Sequence, residues 1–311
     1  MAYHDRDLAP ETETVALMND QTTGIGKRAA AERPFRRKAA LRAEAAAPRV
    51  EKVMSPSKPM PLPEPEVVAS LPATLPEPWE RLRATPLGLG RRQVGQMPLV
   101  NLHRSDPAAK AFDVLRTRLL QTLKARGWRR IGIVAPTRGC GASFTAVNLA
   151  LSIARVPDSR TVLLDMNMRD PGLAGALGLG APGDMRALLR GDVSYLDHLT
   201  RCSGTLAVGL GAGVAGDASE LLQAPASAEV LDLIQDELNP DVVICDLPAI
   251  LAHDDLAAFL PRLDGVLLVA DGTQTTADQI RRCQQVIGDT TPLLGVILNR
   301  GRGTGAENYA L

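Results

Sequence analysis

The feature that constrains this chain most is an alternation of short aliphatic segments with amphipathic ones, from about residue 107 to residue 300. Aliphatic runs without polar alternation are typical of strands in a parallel sheet that helices cover on both faces. The predicted strands lie near Arg130–Ala135, Thr161–Asp165, Thr205–Leu210, Val242–Asp246, Gly265–Ala270 and Leu293–Leu298. The sequence therefore predicts one α/β domain with a mostly parallel, doubly wound sheet over residues 107–300.

Helices are predicted between these strands, and a longer helix precedes the first one. After Pro107, four apolar residues (Phe112, Leu115, Leu119 and Leu123) share one helical face, and the pattern ends at Gly127. The other predicted helices lie near Ser143–Arg155, Met185–Arg190, Ala226–Glu237, Leu256–Leu260 and Ala277–Ile287.

Residues 1–100 have a different composition and are predicted to be a disordered or linker region. Thirteen of the 23 prolines lie here, and the proline-rich run Ser55–Glu80 is not expected to form a helix or a central strand. The preceding segment Lys27–Arg49 is basic and rich in alanine. It is either a solvated arm or a segment that contacts an anionic membrane surface or an acidic partner. Residues 301–311 are predicted to be a flexible C-terminal tail.

Charge and cysteine content narrow the class of protein. Lys plus Arg and Asp plus Glu both number 35, so no global charge favours nucleic acid, and no nucleic-acid partner is predicted. The four cysteines form no CxxC pair, which suits a reducing compartment. No apolar run reaches the ~18 residues of a membrane span, and the N-terminus lacks a signal-peptide pattern, so a cytoplasmic location is expected.

Three segments that carry chemistry follow predicted strands. The first is the turn Thr137–Ser143, in which backbone N–H groups of a P-loop would hold phosphates, although alanine occupies the lysine position at Ala142. The second and third are Asp165 and Asp246, each of which ends an aliphatic strand. The carboxyl ends of parallel strands share one edge of a sheet, where doubly wound folds bind ligands. The arrangement therefore predicts a phosphate-binding site.

The order of the segments resembles the cytoplasmic domain of the bacterial tyrosine kinases (BY-kinases) of polysaccharide synthesis, a branch of the MinD/ParA-like P-loop NTPases. The similar segments are AKAFDVLRTRL, which is similar to the family's EAFRTLRTNL helix, the Walker A-like turn, LLDMNMRDPGL at the Walker A′ stretch, GDASELLQ, VVICDLP at Walker B, and LLGVILNR in the last strand. The resemblance covers close to 200 residues.

The resemblance implies that the site takes ATP and Mg²⁺. Ser143 and Asp246 would hold the magnesium, and Asp165 and Asp246 would be the catalytic carboxylates. The cofactor-binding residues would be Gly139, Cys140, Gly141, Ala142, Ser143, Phe144, Asn299 and Arg300, with Asn299 facing the adenine. The implied partner is a membrane-bound polysaccharide co-polymerase or chain-length protein, which would place the chain at the inner face of the membrane. A homo-oligomer is a further implication.

The sequence departs from the family pattern where catalysis occurs. Ala142 replaces the lysine that neutralises phosphate charge, and the loss of one such charge typically costs about 10²-fold in rate. Phe144 stands where a second hydroxyl is common, and Asn167 replaces an aspartate. The family's Glu-x-x-Arg-x-x-Arg assembly pattern is Lys110, Asp113 and Arg116 here, and its C-terminal tyrosine cluster is reduced to Tyr309.

Two arginines are candidates to replace the lost charge. Arg138 lies in the turn and Arg169 follows the Walker A′ strand. The alternative is that Arg138 faces solvent and that Arg169 pairs with Asp170 or Asp192. A guanidinium matches an ammonium in charge but not in position.

Four functions follow from these residues. The leading one is a catalytically impaired BY-kinase-like regulator of exopolysaccharide or capsule synthesis and export. The alternatives are an active tyrosine autokinase with an altered Walker A turn, a MinD/ParA-type positioning ATPase, and a structural adaptor that binds no nucleotide.

Overall fold

The computed structural model describes residues 76–87, 107–180 and 183–301. The basic segment Lys27–Arg49, most of the proline-rich run and the tail with Tyr309 lie outside these residues. The predictions made for those segments therefore stay predictions.

The described residues form an α/β domain with eight strands in one sheet. The strands are β1 (Arg83–Ala84), β2 (Arg130–Val134), β3 (Thr161–Asp165), β4 (Thr200–Arg201), β5 (Leu206–Gly209), β6 (Val242–Asp246), β7 (Gly265–Asp271) and β8 (Leu293–Asn299). The helices are α1 (Pro78–Arg81), α2 (Pro107–Arg126), α3 (Ala142–Ile153), α4 (Leu173–Leu177), α5 (Met185–Arg190), α6 (Tyr195–His198), α7 (Ala218–Gln223), α8 (Pro225–Leu238), α9 (Asp255–Phe259) and α10 (Ala277–Ile287).

The strand order is β1-β4-β5-β3-β6-β2-β7-β8, and every pair is parallel except β4 with β5. Every residue of β2, β3, β5, β6 and β7 is buried, as expected for strands that helices cover on both faces. One apolar cluster joins the sheet to α2, α3 and α4, and a second joins it to α5, α7, α8 and α9. This arrangement confirms the predicted doubly wound sheet.

All six predicted strands are present, with ends that differ by at most one residue. The prediction missed β1 and β4, which have two residues each, and the short helices α1, α4 and α7. A strand of two residues is too short to show a periodicity. Helix α3 runs from Ala142 to Ile153 instead of Ser143–Arg155, because the helical turn begins directly after Gly141.

The end of the region predicted to be disordered, residues 76–87, packs against the domain. Pro78 occupies the first turn of α1, where the N–H that proline lacks would have no partner within the helix. The expectation that Ser55–Glu80 contains no helix was therefore wrong for its last residues. The Trp79 side chain is fully buried, and its Nε1 donates to the Gly204 carbonyl oxygen at 2.9 Å. The Arg160 guanidinium lies 5.2 Å from the ring centroid. Residues that precede the predicted domain boundary at 107 therefore belong to the packed domain.

Replacement of Trp79 by phenylalanine is expected to lower the free energy of unfolding by about 1 kcal/mol, because the Gly204 carbonyl loses its donor while most of the apolar contact remains. Thermal unfolding measures this change as a decrease of about 2–4 °C in Tm. The half-buried Trp128, beneath Arg126, gives the matched control Trp128→Phe. Equal Tm values for Trp79→Phe and the unchanged chain would contradict the prediction.

Candidate nucleotide site

The turn between β2 and α3 has the backbone geometry of a phosphate loop. Gly139 and Gly141 have φ angles of 81° and 102°, which side chains other than glycine rarely adopt. A Cβ at Gly141 would lie 2.2 Å from Nδ2 of Asn299, so the loop also has no room for one. No side chain caps α3, which leaves the first N–H groups of this helix to an anion.

Neighbouring segments hold this turn in place. The Cys140 side chain is buried, and its Sγ lies 3.3 Å from Oγ1 of Thr137 and 3.6 Å from Oγ1 of Thr275. At the end of β8, Asn299 Nδ2 donates to the Cys140 carbonyl at 2.9 Å, and Arg300 Nη1 donates to the Gly139 carbonyl at 3.0 Å. The structure thus places Asn299 and Arg300 against the loop backbone. The adenine contact of Asn299 stays a prediction.

A third aspartate, Asp271, contacts the loop through Arg300, and the sequence interpretation missed it. Its buried carboxylate accepts hydrogen bonds from Oγ1 and N of Thr273 at 2.6 and 2.8 Å and pairs with Arg300. These bonds, the Thr273 hydroxyl first, lower the pKa of Asp271 to about 2. Asp271 ends an aliphatic strand just as Asp165 and Asp246 do, so the same rule would have found it.

Asp165 and Asp246 end neighbouring strands in register, and both are fully buried. Asp165 Oδ2 accepts from the Leu173 N–H at 3.2 Å, but its Oδ1 and both oxygens of Asp246 have no partner with good hydrogen-bond geometry in the described part of the chain. Burial raises the pKa of Asp165 to about 7. Burial, and then repulsion by Asp165, raises the pKa of Asp246 well above its usual range, against a smaller opposing effect of the Ser143 hydroxyl.

Two buried carboxylates side by side with unpartnered oxygens fit a divalent cation, because otherwise they must be protonated to lower their cost. Within residues 76–87, 107–180 and 183–301, no three or more His, Cys, Asp and Glu side chains are grouped to hold a metal ion. A magnesium ion here would therefore complete its shell with the Ser143 hydroxyl, water and phosphate oxygens. Such a shell, with few protein ligands, is typical of magnesium at nucleotide sites.

A cavity of about 510 Å³ opens in front of the turn. It is lined by all eight residues predicted to bind the cofactor: Gly139, Cys140, Gly141, Ala142, Ser143, Phe144, Asn299 and Arg300. The carboxylate pair, at the ends of β3 and β6, is fully buried and is not part of the lining. Lining residues that were not predicted to bind the cofactor include Leu247, Pro248, Ala249 and His253, which follow Asp246 in the chain.

The two arginines considered as replacements for the lysine have different partners. Arg169 makes two hydrogen bonds to Asp255, from Nε at 3.0 Å and Nη2 at 2.8 Å, and a third to the Gly216 carbonyl. The expected pairing of Arg169 with Asp170 or Asp192 was therefore wrong, because the guanidinium pairs with the buried Asp255 at the start of α9. Arg138 pairs with Asp170 instead, at 2.5 Å, and both side chains are about two-thirds exposed.

The altered assembly pattern on α2 is engaged within the chain. Arg116 Nη1 donates to Asp113 at 3.1 Å and to the Ser152 carbonyl at 3.2 Å. Asp113 also accepts from the Ser152 hydroxyl at 2.8 Å and pairs with Arg155. These contacts join α2 to α3. The homo-oligomer stays a prediction.

A parallel sheet, a glycine turn that begins a helix, and aspartates at the ends of adjacent strands together define a P-loop NTPase fold. The predicted fold class is thus confirmed. None of the helices in the described residues combines the length and the apolar character that a membrane span requires.

Comparison with known proteins gives the relationship within this class. The chain is 31% identical over 216 residues, or 68% of its length, to "Putative tyrosine-protein kinase EpsB" of Ralstonia solanacearum, and 30% identical over 210 residues to the protein of that name in Ralstonia nicotianae. The matched regions are 28% and 27% of those relatives' lengths, so the chain spans little more than a quarter of them. No protein-family model matches the chain.

Solved structures show the same fold. The kinase domain of the Escherichia coli tyrosine kinase ETK superposes with a TM-score of 0.61 at 24% identity, over 68% of this chain and 83% of that one. The VpsO kinase domain gives a TM-score of 0.55 at 25% identity, over 62% of this chain and 96% of that one. The chain is therefore a relative of the bacterial tyrosine kinases and has the fold of their kinase domains, as the ordered motifs predict.

Proposed function

We propose that this chain is a BY-kinase-like protein of exopolysaccharide or capsule synthesis that binds magnesium nucleotide but is catalytically impaired. It would act by docking a membrane-bound chain-length partner at the inner face of the membrane. The kinase names of its relatives and its kinase-domain fold support the general assignment. The partner and the impairment go beyond those findings and rest on the residues of the site.

The observation that carries the proposal is the contrast between two halves of one site. The cation half keeps Ser143, Asp165 and Asp246, with buried, unpartnered carboxylate oxygens. The phosphate half keeps both left-handed glycines and a helix start without a side-chain cap, but Ala142 provides no charge. Binding groups are thus retained where the main electrostatic stabiliser of phosphoryl transfer is missing.

Magnesium, which Ser143 and Asp246 would hold, would supply positive charge that neutralises the phosphates. The chain's own residues would perform the other tasks. The N–H groups from Gly139 to Ser143 would orient the phosphates, and Asn299 and Arg300 would hold the loop in its binding shape. The buried carboxylate of Asp165 would lie beside the reacting group.

Equilibrium dialysis of the full chain against labelled ATP with Mg²⁺ is expected to show binding that Asp246→Ala removes. Incubation with ATP and Mg²⁺, alone or with the partner, is expected to leave no detectable phosphotyrosine, because one missing preorganised charge lowers the rate about 10²-fold or more. Clear autophosphorylation that Asp246→Ala abolishes would refute the impairment. Absence of nucleotide binding would favour the structural adaptor.

The second candidate, an active autokinase with an altered turn, is favoured by the intact carboxylate pair. Selection for a docking function alone would not require two buried acids without partners, since such a pair destabilises the fold. The two candidates differ in their response to a lysine at position 142.

A further inference from the structure

Within the described residues, three arginines line the cavity in front of the glycine turn: Arg138, Arg169 and Arg300. The proposed function requires a cation for the outer phosphates, and Ala142 does not provide one. The three arginines differ in what each would have to leave in order to contact a ligand. This difference decides which of them can act.

Arg169 and Arg300 are held by buried acids. Asp255, the partner of Arg169, is 1% exposed, and Asp271, the partner of Arg300, is fully buried. Movement of either guanidinium toward a ligand would leave a buried carboxylate unpaired, which is strongly unfavourable. Arg300 also donates to the Gly139 carbonyl and so supports the loop itself. Both side chains are therefore part of the framework of the site.

Arg138, in contrast, is not paired with a buried acid. Its side chain is 66% exposed, and its partner Asp170 is 65% exposed. An ion pair in such a position contributes little to stability, because water screens both charges. Arg138 directly precedes Gly139 in the turn, so it lies on the same loop as the backbone groups that would hold phosphates. It can leave Asp170 for a phosphate at little cost.

We infer that Arg138 is the residue that binds the outer phosphates of the nucleotide and partly replaces the missing lysine charge. This inference rests on the proposed function. A guanidinium binds phosphate through two parallel N–H groups but approaches from a different direction than the lysine would. Arg138 would therefore favour binding of a di- or triphosphate without restoring the lost catalysis. Asp170, which competes for the same guanidinium, would weaken that binding.

The test measures dissociation constants by calorimetry for Mg·ATP, Mg·ADP and AMP with the full chain. Arg138→Ala is expected to weaken Mg·ATP and Mg·ADP about 10-fold, as expected for loss of a charged hydrogen bond, and AMP less than twofold. Asp170→Asn is expected to tighten Mg·ATP about two- to fivefold. Arg138→Lys should recover part of the loss.

Two variants serve as controls. Arg190 forms a similarly exposed pair with Asp217 at 2.9 Å and does not line the cavity, so Arg190→Ala should leave all three constants unchanged. His253 lines the cavity and is exposed, so His253→Ala tests whether any basic residue of the lining has the same effect. Binding that Arg138→Ala leaves unchanged, or that His253→Ala weakens equally, overturns the assignment of Arg138 alone. Absence of binding by the unchanged chain overturns the proposed function as well.

Discussion

Introduction of lysine at position 142 is expected to raise the affinity for Mg·ATP at least 10-fold and ATP turnover by about 10²-fold over the unchanged chain. Ala142 is the first residue of α3 and lines the cavity, so a longer side chain there extends toward the ligand. The new charge would lie where an anion accumulates charge during phosphoryl transfer. Turnover is measured as phosphate release and as phosphotyrosine.

The matched control is Ala142→Gln, which adds a side chain without a charge and should change turnover little. Lysine at a helix N-terminus also opposes the helix dipole, so Ala142→Lys is expected to lower stability slightly, by about 0.3–1 kcal/mol. A chain that is active before the change, and that gains little from it, would contradict the proposed impairment. Such a result would establish the active autokinase instead.

The strands and the site at their ends could be predicted because both depend on local patterns. Strands such as Val242–Asp246 are fully buried central strands, and the aspartate that ends each of them lies at the binding edge of the sheet. The same rule identified Asp165 and Asp246 before their register was known, and it would also have identified Asp271. The left-handed backbone of the turn was predictable because residues other than glycine rarely adopt the φ angles of Gly139 and Gly141.

Contacts between distant segments could not be predicted. Trp79 bonds to a carbonyl 125 residues away, so nothing within the proline-rich run indicates that its end is ordered. The pairing of Arg169 with Asp255 and of Arg138 with Asp170 could not be predicted for the same reason. Asp255 approaches Arg169 only because α9 packs beside the loop after β3, and the nearer Asp170 in sequence is then left to Arg138.

Replacement of Asp165 by asparagine is expected to stabilise the nucleotide-free chain at pH 8 by ~2–4 kcal/mol. The folded chain holds the pKa of this acid near 7, against an ordinary value of 3.8. Between these values the unfolded chain loses the proton while the folded chain keeps it, so the native contribution of Asp165 falls as pH rises from about 4 to 7. Asparagine removes this loss and retains an oxygen for the Leu173 N–H.

Thermal unfolding in the presence of a chelator should therefore show Asp165→Asn about 5–10 °C above the unchanged chain at pH 8, and close to it at pH 4. Added Mg·ADP should raise the Tm of the unchanged chain but have a smaller effect on the variant. Asp255→Asn is the matched control, because this equally buried aspartate is paired with Arg169 and its loss should destabilise the fold at pH 8 by about 3 kcal/mol. If Asp165→Asn also lowered the Tm at pH 8, the carboxylate pair would be stabilising without a cation, and its buried oxygens would no longer support a magnesium site.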